Sequence, residues 1–362
     1  MKNITKVLLS IFASAVLTVS AYAGSVDVSG SAVASYRIDS SDSASGANDS
    51  GKGLGISNEL TFSASGELDN GMSWSYATEL DSGAETTSGA GIDDTQIKVT
   101  TDFGTIGIMV SEGSLRTAAY GWDVTANGAG SDNGAGGSGL WGTELSGWNN
   151  LQYHLPDGIL PLGGTFKIGQ SVQADTSINS KNAGGAGRTL GITDGAAGTD
   201  PAFVTAKVTQ TAVSIAPIDG LTLGADYMSV GGMPKDAEQE PEEGHWYAKY
   251  AIGSVSIGYG KGYLAHGISN NAGDKIENTL NTSMGIGFAV NDALTISFSD
   301  EKSTREFATS ATAEVELGVE SIQAAYTMGG LTLSVWMDDI ENSGYTADKD
   351  EKEFTVNAAF AF

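Results

Sequence analysis

The chain lacks cysteine and holds few of the residues on which catalytic centres depend. Without cysteine it can form neither disulfides nor thiolate sites, although an exported chain is free to form disulfides. Its three histidines, His154, His245 and His266, lie far apart and without metal-ligand spacing. No serine stands in a nucleophile-elbow pattern. We therefore expect a protein that is not an enzyme and that needs neither a cofactor nor a resident metal.

Basic residues are scarce as well. The 362 residues include 18 Lys and Arg against 44 Asp and Glu, which gives a formal net charge of −26. Nucleic acid is therefore not expected as a partner, because binding to phosphates requires a basic surface. The negative charge agrees better with cations as partners, or with a solvated and soluble exterior.

Long hydrophobic runs are absent beyond the first 23 residues. Those 23 residues begin with Lys2 and Lys6, continue with a short apolar run and end at the small-residue cleavage pattern of residues 21–23, which predicts a secretory signal peptide. The apolar run is too short for a membrane anchor helix, which needs about 20 residues. Loss of the two lysines changes the net charge from −26 to −28, since no acidic residue precedes Gly24. Any membrane insertion of residues 24–362 must then use a closed β-barrel.

Alternating strands are the main pattern that is present. In residues 351–362, Phe354, Val356, Phe360 and Phe362 share one face, while Thr355 and other polar residues share the opposite face. Such a strand suits the last strand of a soluble sandwich, whose apolar face meets a core, or a barrel wall, whose apolar face meets lipid. The 50 glycines, beside only six prolines, suit strands and tight turns.

The connections between the predicted strands alternate between short turns and long polar segments. Short turns are predicted at residues 69–71, 102–104, 217–220, 253–254, 291–293 and 329–330, and long polar segments at residues 39–53, 81–92, 174–201, 229–244, 260–278, 300–312 and 338–350. About 16 strands fit this pattern. The predicted fold is all-β, a transmembrane antiparallel up-and-down barrel with short periplasmic turns and long extracellular loops. An even strand number lets residues 351–362 pair with residues 26–38 and close the barrel.

Several short motifs resemble those of the proteobacterial general diffusion porins. They are Gly66-Glu67-Leu68-Asp69-Asn70-Gly71-Met72 followed by Glu79-Leu80, Asp102-Phe103-Gly104-Thr105 followed by Ile106-Gly107-Ile108, Asn149-Asn150-Leu151-Gln152-Tyr153-His154-Leu155-Pro156 and Tyr326-Thr327-Met328-Gly329-Gly330-Leu331-Thr332-Leu333. The terminal Phe362, with Phe360 before it, resembles the signal by which chains of this family are recognised for assembly in the outer membrane of Gram-negative bacteria. The motifs are short, but their order extends over the whole chain after the signal peptide.

This resemblance implies a homotrimer of 16-stranded barrels whose third long loop, residues 112–148, folds into the lumen as a constriction. The acidic side of the constriction would be Glu112, Asp123, Asp132 and Glu144. The family usually opposes a row of arginines to these acids, whereas this chain has four arginines in all. The basic side of the pore wall is therefore expected to be Arg37, Lys98, Lys167, Lys207 and Lys249.

The predicted function is that of an outer-membrane porin, a water-filled channel for passive diffusion of small hydrophilic solutes and ions, with a preference for cations. Outer-membrane lipid and lipopolysaccharide would surround it. The alternative is a structural or adhesive outer-membrane barrel with an occluded pore. A secreted acidic β-solenoid is a weaker alternative, because the strand spacing is variable. Residues 339–350 carry acids at the spacing of a calcium loop, but strands flank them and the twelfth residue is aspartate, so a solvated loop is predicted.

Overall fold

The computed structural model of the chain describes residues 26–42, 49–81, 91–110, 112–115, 120–131, 145–172, 207–231, 238–268, 276–308 and 313–362. Within these ranges the chain forms sixteen strands. Their bounds are β1 Val26–Asp42, β2 Asp49–Glu67, β3 Ser73–Asp81, β4 Gly91–Thr101, β5 Gly104–Val110, β6 Asn150–His154, β7 Thr165–Val172, β8 Lys207–Ile218, β9 Leu221–Gly231, β10 Glu242–Ile252, β11 Val255–Ala265, β12 Ile276–Ala289, β13 Leu294–Phe307, β14 Glu316–Met328, β15 Leu331–Glu341 and β16 Asp350–Ala361. The predicted signal peptide, residues 1–23, lies outside the described residues.

The strands form one closed antiparallel barrel in which each strand pairs with its neighbours in sequence. The ring closes between β1 and β16, where the register runs from Ser31 opposite Ala361 to Asp42 opposite Asp350. Phe362 extends this seam, since its N–H donates to the Gly30 carbonyl at 3.0 Å and its carbonyl accepts from the Gly30 N–H at 2.8 Å. The predicted fold class and the predicted pairing of the last strand with the first are both confirmed.

The short turns follow from local residue chemistry. Between β2 and β3, Gly71 adopts a φ of 81°, which glycine tolerates without steric cost. Asn70 supports the same turn, because its Oδ1 accepts from the Met72 N–H at 3.2 Å. Gly104 likewise adopts a positive φ, of 125°, in the turn between β4 and β5. These turns keep successive strands adjacent and leave one end of the barrel with short connections.

The two faces of the wall differ in chemistry. On the outside, the cross-strand row Phe298, Ile322, Met337 and Phe354 is apolar. The next outward row towards the long loops is charged and consists of Asp300, Glu320, Asp339 and Lys352. This sharp change is typical of the boundary between hydrocarbon and water in a membrane barrel, where charge on the lipid face is costly.

Several strands extend further than predicted. Residues 39–53 were expected to form a loop, but β1 continues to Asp42 and β2 begins at Asp49. Likewise, β13 continues to Phe307 through most of the segment predicted as a loop at residues 300–312. Beyond the apolar belt both faces of a strand meet water, so the apolar alternation that marks a strand in the sequence is absent although the backbone still pairs.

Two short 3₁₀ turns accompany the strands, at Leu145–Gly147 and Ser343–Tyr345. Neither of these described turns is long and apolar enough to cross a bilayer as a helix. The turn at Ser343–Tyr345 folds back over the inner wall, where Tyr345 packs against Leu317, Val319 and Ile340. Its hydroxyl lies 2.6 Å from the Ser303 hydroxyl, and its ring lies 3.7 Å below the Arg305 guanidinium. The last long connection therefore reaches into the barrel.

Candidate pore constriction

The connection between β5 and β6 is fastened at both of its ends to the inner wall. At its roots, Leu115 and Leu145 are buried against Val208, Met228 and other inward-facing apolar residues of β8, β9 and β11. The Leu145 N–H donates to Gln210 Oε1 at 3.0 Å, and Asn150 Nδ2 donates to the Glu112 carbonyl at 3.0 Å. The lumen of the barrel thus holds a small apolar core of its own.

Residues 120–131 of this connection lie along the inner wall of β11 to β15. Gln323 binds the segment at two atoms, since its Oε1 accepts from the Asn127 N–H at 2.8 Å and its Nε2 donates to the Gly128 carbonyl at 2.6 Å. The Ala126 N–H donates to the Ser297 hydroxyl at 2.8 Å. Glu301, fully buried, accepts from the Ser131 N–H at 2.9 Å and from the Ser131 hydroxyl. These contacts hold the segment inside the barrel, where it narrows the lumen.

The four acids predicted for the constriction are distributed unevenly. Asp123 lies within the infolded segment, half-buried, and its Oδ1 accepts from the Thr125 N–H at 2.8 Å. Glu112 lies at the root of the connection, where its carboxylate accepts from the Gly113 N–H and acts electrostatically on Lys98. Glu112 therefore lies beside a basic residue that it was expected to face across the lumen. Asp132 and Glu144 lie outside the described residues.

Three of the predicted basic residues face the lumen near the short turns. Lys98 on β4 and Lys167 on β7 lie close enough to repel one another, and both act on His154 of β6. Lys249 faces inward on β10, opposite Gly258 of β11 and Thr222 of β9. Lys98, Lys167 and Lys249 are therefore predicted basic residues that lie on the lumen side of the wall.

The prediction that Lys207 faces the lumen is contradicted by the register of β8. Its neighbour Val208 is fully buried and faces inward together with Gln210 and Ala212, so Lys207 shares the outer face with the exposed Val213. The rule that the apolar residues of a strand face outward fails at β8, because Val208 and Ala212 belong to the apolar core inside the barrel. Apolar residues therefore mark the inner face there, whereas elsewhere they mark the outer face.

Arg37 faces inward on β1 but belongs to a local ion cluster. Its guanidinium forms ion pairs with Asp39, at 2.5 Å, and with Glu353 of β16. Glu353 is 6% exposed, and the fully buried Asp338 of β15 lies next to it in register. Acids of the wall therefore balance the charge of Arg37, so Arg37 contributes little positive charge to the predicted basic side of the lumen.

Sequence reasoning missed acids on the wall itself. Glu59 and Glu67 of β2 and Glu79 of β3 share the inward register, because Glu59 lies opposite the inward Ser31 and Glu79 lies opposite Thr61. Their alternation with outward apolar residues such as Leu60 was the signal that could have identified them. The described lumen therefore carries more acids than bases.

The described lumen offers charge and narrowing but no assembled catalytic or metal centre. Within the described ranges no group of three or more His, Asp or Glu could hold a metal ion. The pair of His245 Nδ1 and Asp226 Oδ1, at 2.8 Å, is buried in the wall of β9 and β10. Asp339, which belongs to the segment with calcium-loop spacing, is bound by Lys352 Nζ at 2.6 Å. Such an arrangement can sort permeating solutes by size and charge.

Comparison with solved structures shows the same architecture in outer-membrane proteins. The loop L8 deletion mutant of OmpT, an outer membrane protein of Vibrio cholerae, matches with a TM-score of 0.66 and 14% identity, over 94% of this chain and 100% of that chain. The anion-selective porin from Comamonas acidovorans matches with a TM-score of 0.65 and 11% identity, over 93% and 100%. Salmonella typhi OmpF in complex with daunomycin matches with a TM-score of 0.65 and 14% identity, over 94% and 98%.

Neither a protein-family model nor a curated protein sequence matches the chain. At 11 to 14% identity, the structural likeness establishes a common fold. The chain therefore has the 16-stranded barrel fold of the general diffusion porins that the sequence motifs resemble.

Proposed function

We propose that the protein is an outer-membrane porin that lets small hydrophilic solutes and ions diffuse passively through its lumen. The observation that carries this proposal is a closed 16-stranded barrel whose outer belt is apolar and whose inner wall is polar and narrowed by residues 120–131. The outer belt suits outer-membrane lipid and lipopolysaccharide, and the predicted signal peptide suits export to that membrane. No chemical step and no cofactor are required, so the protein is not an enzyme in this proposal.

The test is electrical recording of the purified protein in planar bilayers. A porin gives stepwise, ohmic conductance without added energy, and a homotrimer, the oligomer implied by the resemblance, gives steps that occur in groups of three. The alternative is a structural or adhesive barrel with an occluded pore, which is favoured by the two long connections that pack inside the lumen. Protein that inserts but never conducts would support that alternative.

The proposal includes a preference for cations. It rests on the excess of inward acids over bases. Neighbouring acids balance Lys98 and Arg37, and Glu59 and Glu67 of β2 add further negative charge to the inner wall. One of the matched structures is an anion-selective porin, so the fold alone does not determine the sign of the preference. Side chains determine it, since several charges acting together can create a potential of a few kT in a narrow lumen.

Neutralising lumen acids is expected to reduce this preference. In the triple variant Glu59→Gln, Glu67→Gln and Asp123→Asn, the ratio of cation to anion permeability should fall by a factor of about two to five, because each charge acts over about 10 Å in screened water. Asp123→Asn keeps the side-chain oxygen that accepts from the Thr125 N–H. Reversal potentials across a salt gradient measure the ratio.

A matched control is available on the outer wall. The triple variant Asp300→Asn, Glu320→Gln and Asp339→Asn removes the same number of charges from the outward row, which faces away from the lumen. Its permeability ratio should stay near that of the unchanged protein. Equal effects of the two triple variants would contradict an electrostatic role for the lumen acids, and a wild-type preference for anions would overturn the proposed sign.

A further inference from the structure

The inner wall of β11 and β12 contains a patch without side chains. Gly258 and Gly260 of β11 and Gly285 and Gly287 of β12 all face inward, and Gly258 lies directly opposite Gly285. None of these four glycines has a positive φ, so the backbone conformation itself does not require glycine. The reason for glycine must therefore be space.

That space is occupied by Trp122 of the infolded segment, which is 0% exposed. A Cβ at Gly260 would lie 2.6 Å from the indole Cδ1, and a Cβ at Gly285 would lie 3.1 Å from the indole Cζ3. A Cβ at Gly258 would overlap the Trp122 carbonyl oxygen, and one at Gly287 would overlap the Val124 carbonyl oxygen. The four glycines form a slot, and only glycine lets the tryptophan and its backbone lie so close to the wall.

The slot holds Trp122 by shape. The indole Nε1 is buried and has no hydrogen-bond partner among the described residues, so packing is what retains the side chain. Trp122 packs with Ala129, Tyr247 and Tyr120, and Tyr120 also packs on the apolar group of Leu317, Val319 and Ile340. Trp122 therefore lies at the centre of the contacts between residues 120–131 and the wall.

Asp123 follows Trp122 in the chain and is the acidic residue of the segment 120–131. Its N–H donates to the Tyr120 carbonyl at 2.9 Å and its Oδ1 accepts from the Thr125 N–H at 2.8 Å, so its backbone and carboxylate are fixed relative to the tryptophan. A shift of Trp122 must move this carboxylate and the hydrogen-bonded residues that follow it.

We propose that Trp122 in the glycine slot is the anchor that sets both the width and the charge of the narrow section, which makes Gly258, Gly260, Gly285 and Gly287 specificity-determining positions of the wall. This inference rests on the proposed pore function. Trp122 acts as a positioning residue, since it lies behind the segment and contacts the wall. A larger side chain in the wall would clash with Trp122 or its backbone, and a much smaller anchor in the segment would leave a cavity in the slot.

Disulfide formation reports docking of the segment independently of conduction. The chain contains no cysteine, so the pair Ala126→Cys and Ser297→Cys is the only thiol pair, placed where the Ala126 N–H donates to the Ser297 hydroxyl. Adding Trp122→Ala or Gly258→Val should slow oxidation to the disulfide by at least about tenfold, because loss of a buried tryptophan shifts a docking equilibrium by at least about 100-fold. Trp122→Phe should restore most of the rate.

Gly55→Val is the matched control. Gly55 also faces inward, on β2 opposite Ser35, but a Cβ there meets no atom within 4 Å. This variant should leave the oxidation rate unchanged. If Gly258→Val prevents barrel assembly, Trp122→Ala remains decisive, since it leaves the wall intact. Unchanged oxidation in an assembled Trp122→Ala protein overturns the anchor.

Bilayer recordings of the same variants without the cysteines give the second readout. Trp122→Ala and Gly258→Val should change the single-channel conductance and lower the cation preference, whereas Gly55→Val should do neither. If the wild-type protein does not conduct, the proposed function fails while the oxidation rates still report on docking. If the wild type conducts and both slot variants match it in conductance and preference, the slot does not set the narrow section and the inference is overturned.

Discussion

Replacing Arg37 with methionine is expected to destabilise the folded barrel by about 2 to 3 kcal/mol, which is less than the roughly 3 to 5 kcal/mol for breaking a fully buried ion pair, because the Arg37 side chain is 38% exposed. Arg37 pairs with Asp39 and with Glu353, and Glu353 is 6% exposed beside the fully buried Asp338. Without the guanidinium, two buried carboxylates lie side by side with no balancing charge. Urea unfolding of the protein in phospholipid vesicles, followed by tryptophan fluorescence, measures the loss of free energy of unfolding.

Lys352→Met is the control for this effect, because Lys352 forms an ion pair of 2.6 Å with Asp339 on the outer face, where both side chains are well exposed. An exposed pair contributes at most about 1 kcal/mol, so this variant should be only slightly less stable than the wild type. Adding Glu353→Gln to Arg37→Met should restore part of the lost stability by removing a buried charge. Equal losses from Arg37→Met and Lys352→Met would contradict the idea that burial makes the Arg37 cluster sensitive.

The barrel architecture could be predicted because two local signals agree along the chain. Strands within the membrane must alternate between lipid and lumen, and residues such as Phe354, Thr355 and Val356 show this alternation directly. Turn residues such as Asn70 and Gly71 mark where a strand must reverse. Where the strands leave the membrane, as in β1 after Ile38, alternation ends although pairing continues to Asp42, so the loops were predicted to be too long.

The candidate site was predicted less well, because the lumen is built from contacts between parts of the chain that are distant in sequence. Val208 faces inward to meet Leu115 and Leu145, which reverses the expected orientation of Lys207. Glu112 lies beside Lys98 since the root of the third connection follows the wall of β5 and β6. The glycine slot could not be predicted either. Four glycines in two strands have no evident role in the sequence, and their role becomes clear only from the position of Trp122 against them in the structure.

The outer and inner faces of the wall are therefore subject to different constraints. The outside must be apolar in every strand, so the sequence shows it clearly, whereas the inside must match one infolded segment, so its residues depend on that partner. Gln323, Glu301 and Ser297 illustrate this, since each binds a backbone group of residues 126–131. Variants of the inner wall should alter the lumen, and variants of the seam should alter assembly.

Deleting Phe362 is expected to reduce assembled barrel in the outer membrane by at least about tenfold, because each orphaned backbone group in a bilayer costs several kcal/mol. The deletion removes the two hydrogen bonds that Phe362 exchanges with Gly30 at the seam of β1 and β16. It also removes a ring that packs over Gly30, where a Cβ would lie 2.8 Å from the Phe362 Cε2. The fraction of folded, heat-modifiable protein in isolated outer membranes measures the effect.

Phe362→Ser separates the two contributions, because it keeps the terminal backbone groups but loses the exposed ring. If the aromatic ring is itself the assembly signal, the substitution should lower assembly as much as the deletion does. If the seam pairing dominates, only the deletion should be defective. In both cases the barrels that do assemble should keep the wild-type conductance and ion preference, since Phe362 lies at the short-turn end of the seam with its ring exposed on the outer face. Abundant, fully assembled protein from both variants would show that the terminal residue contributes little to closing the barrel.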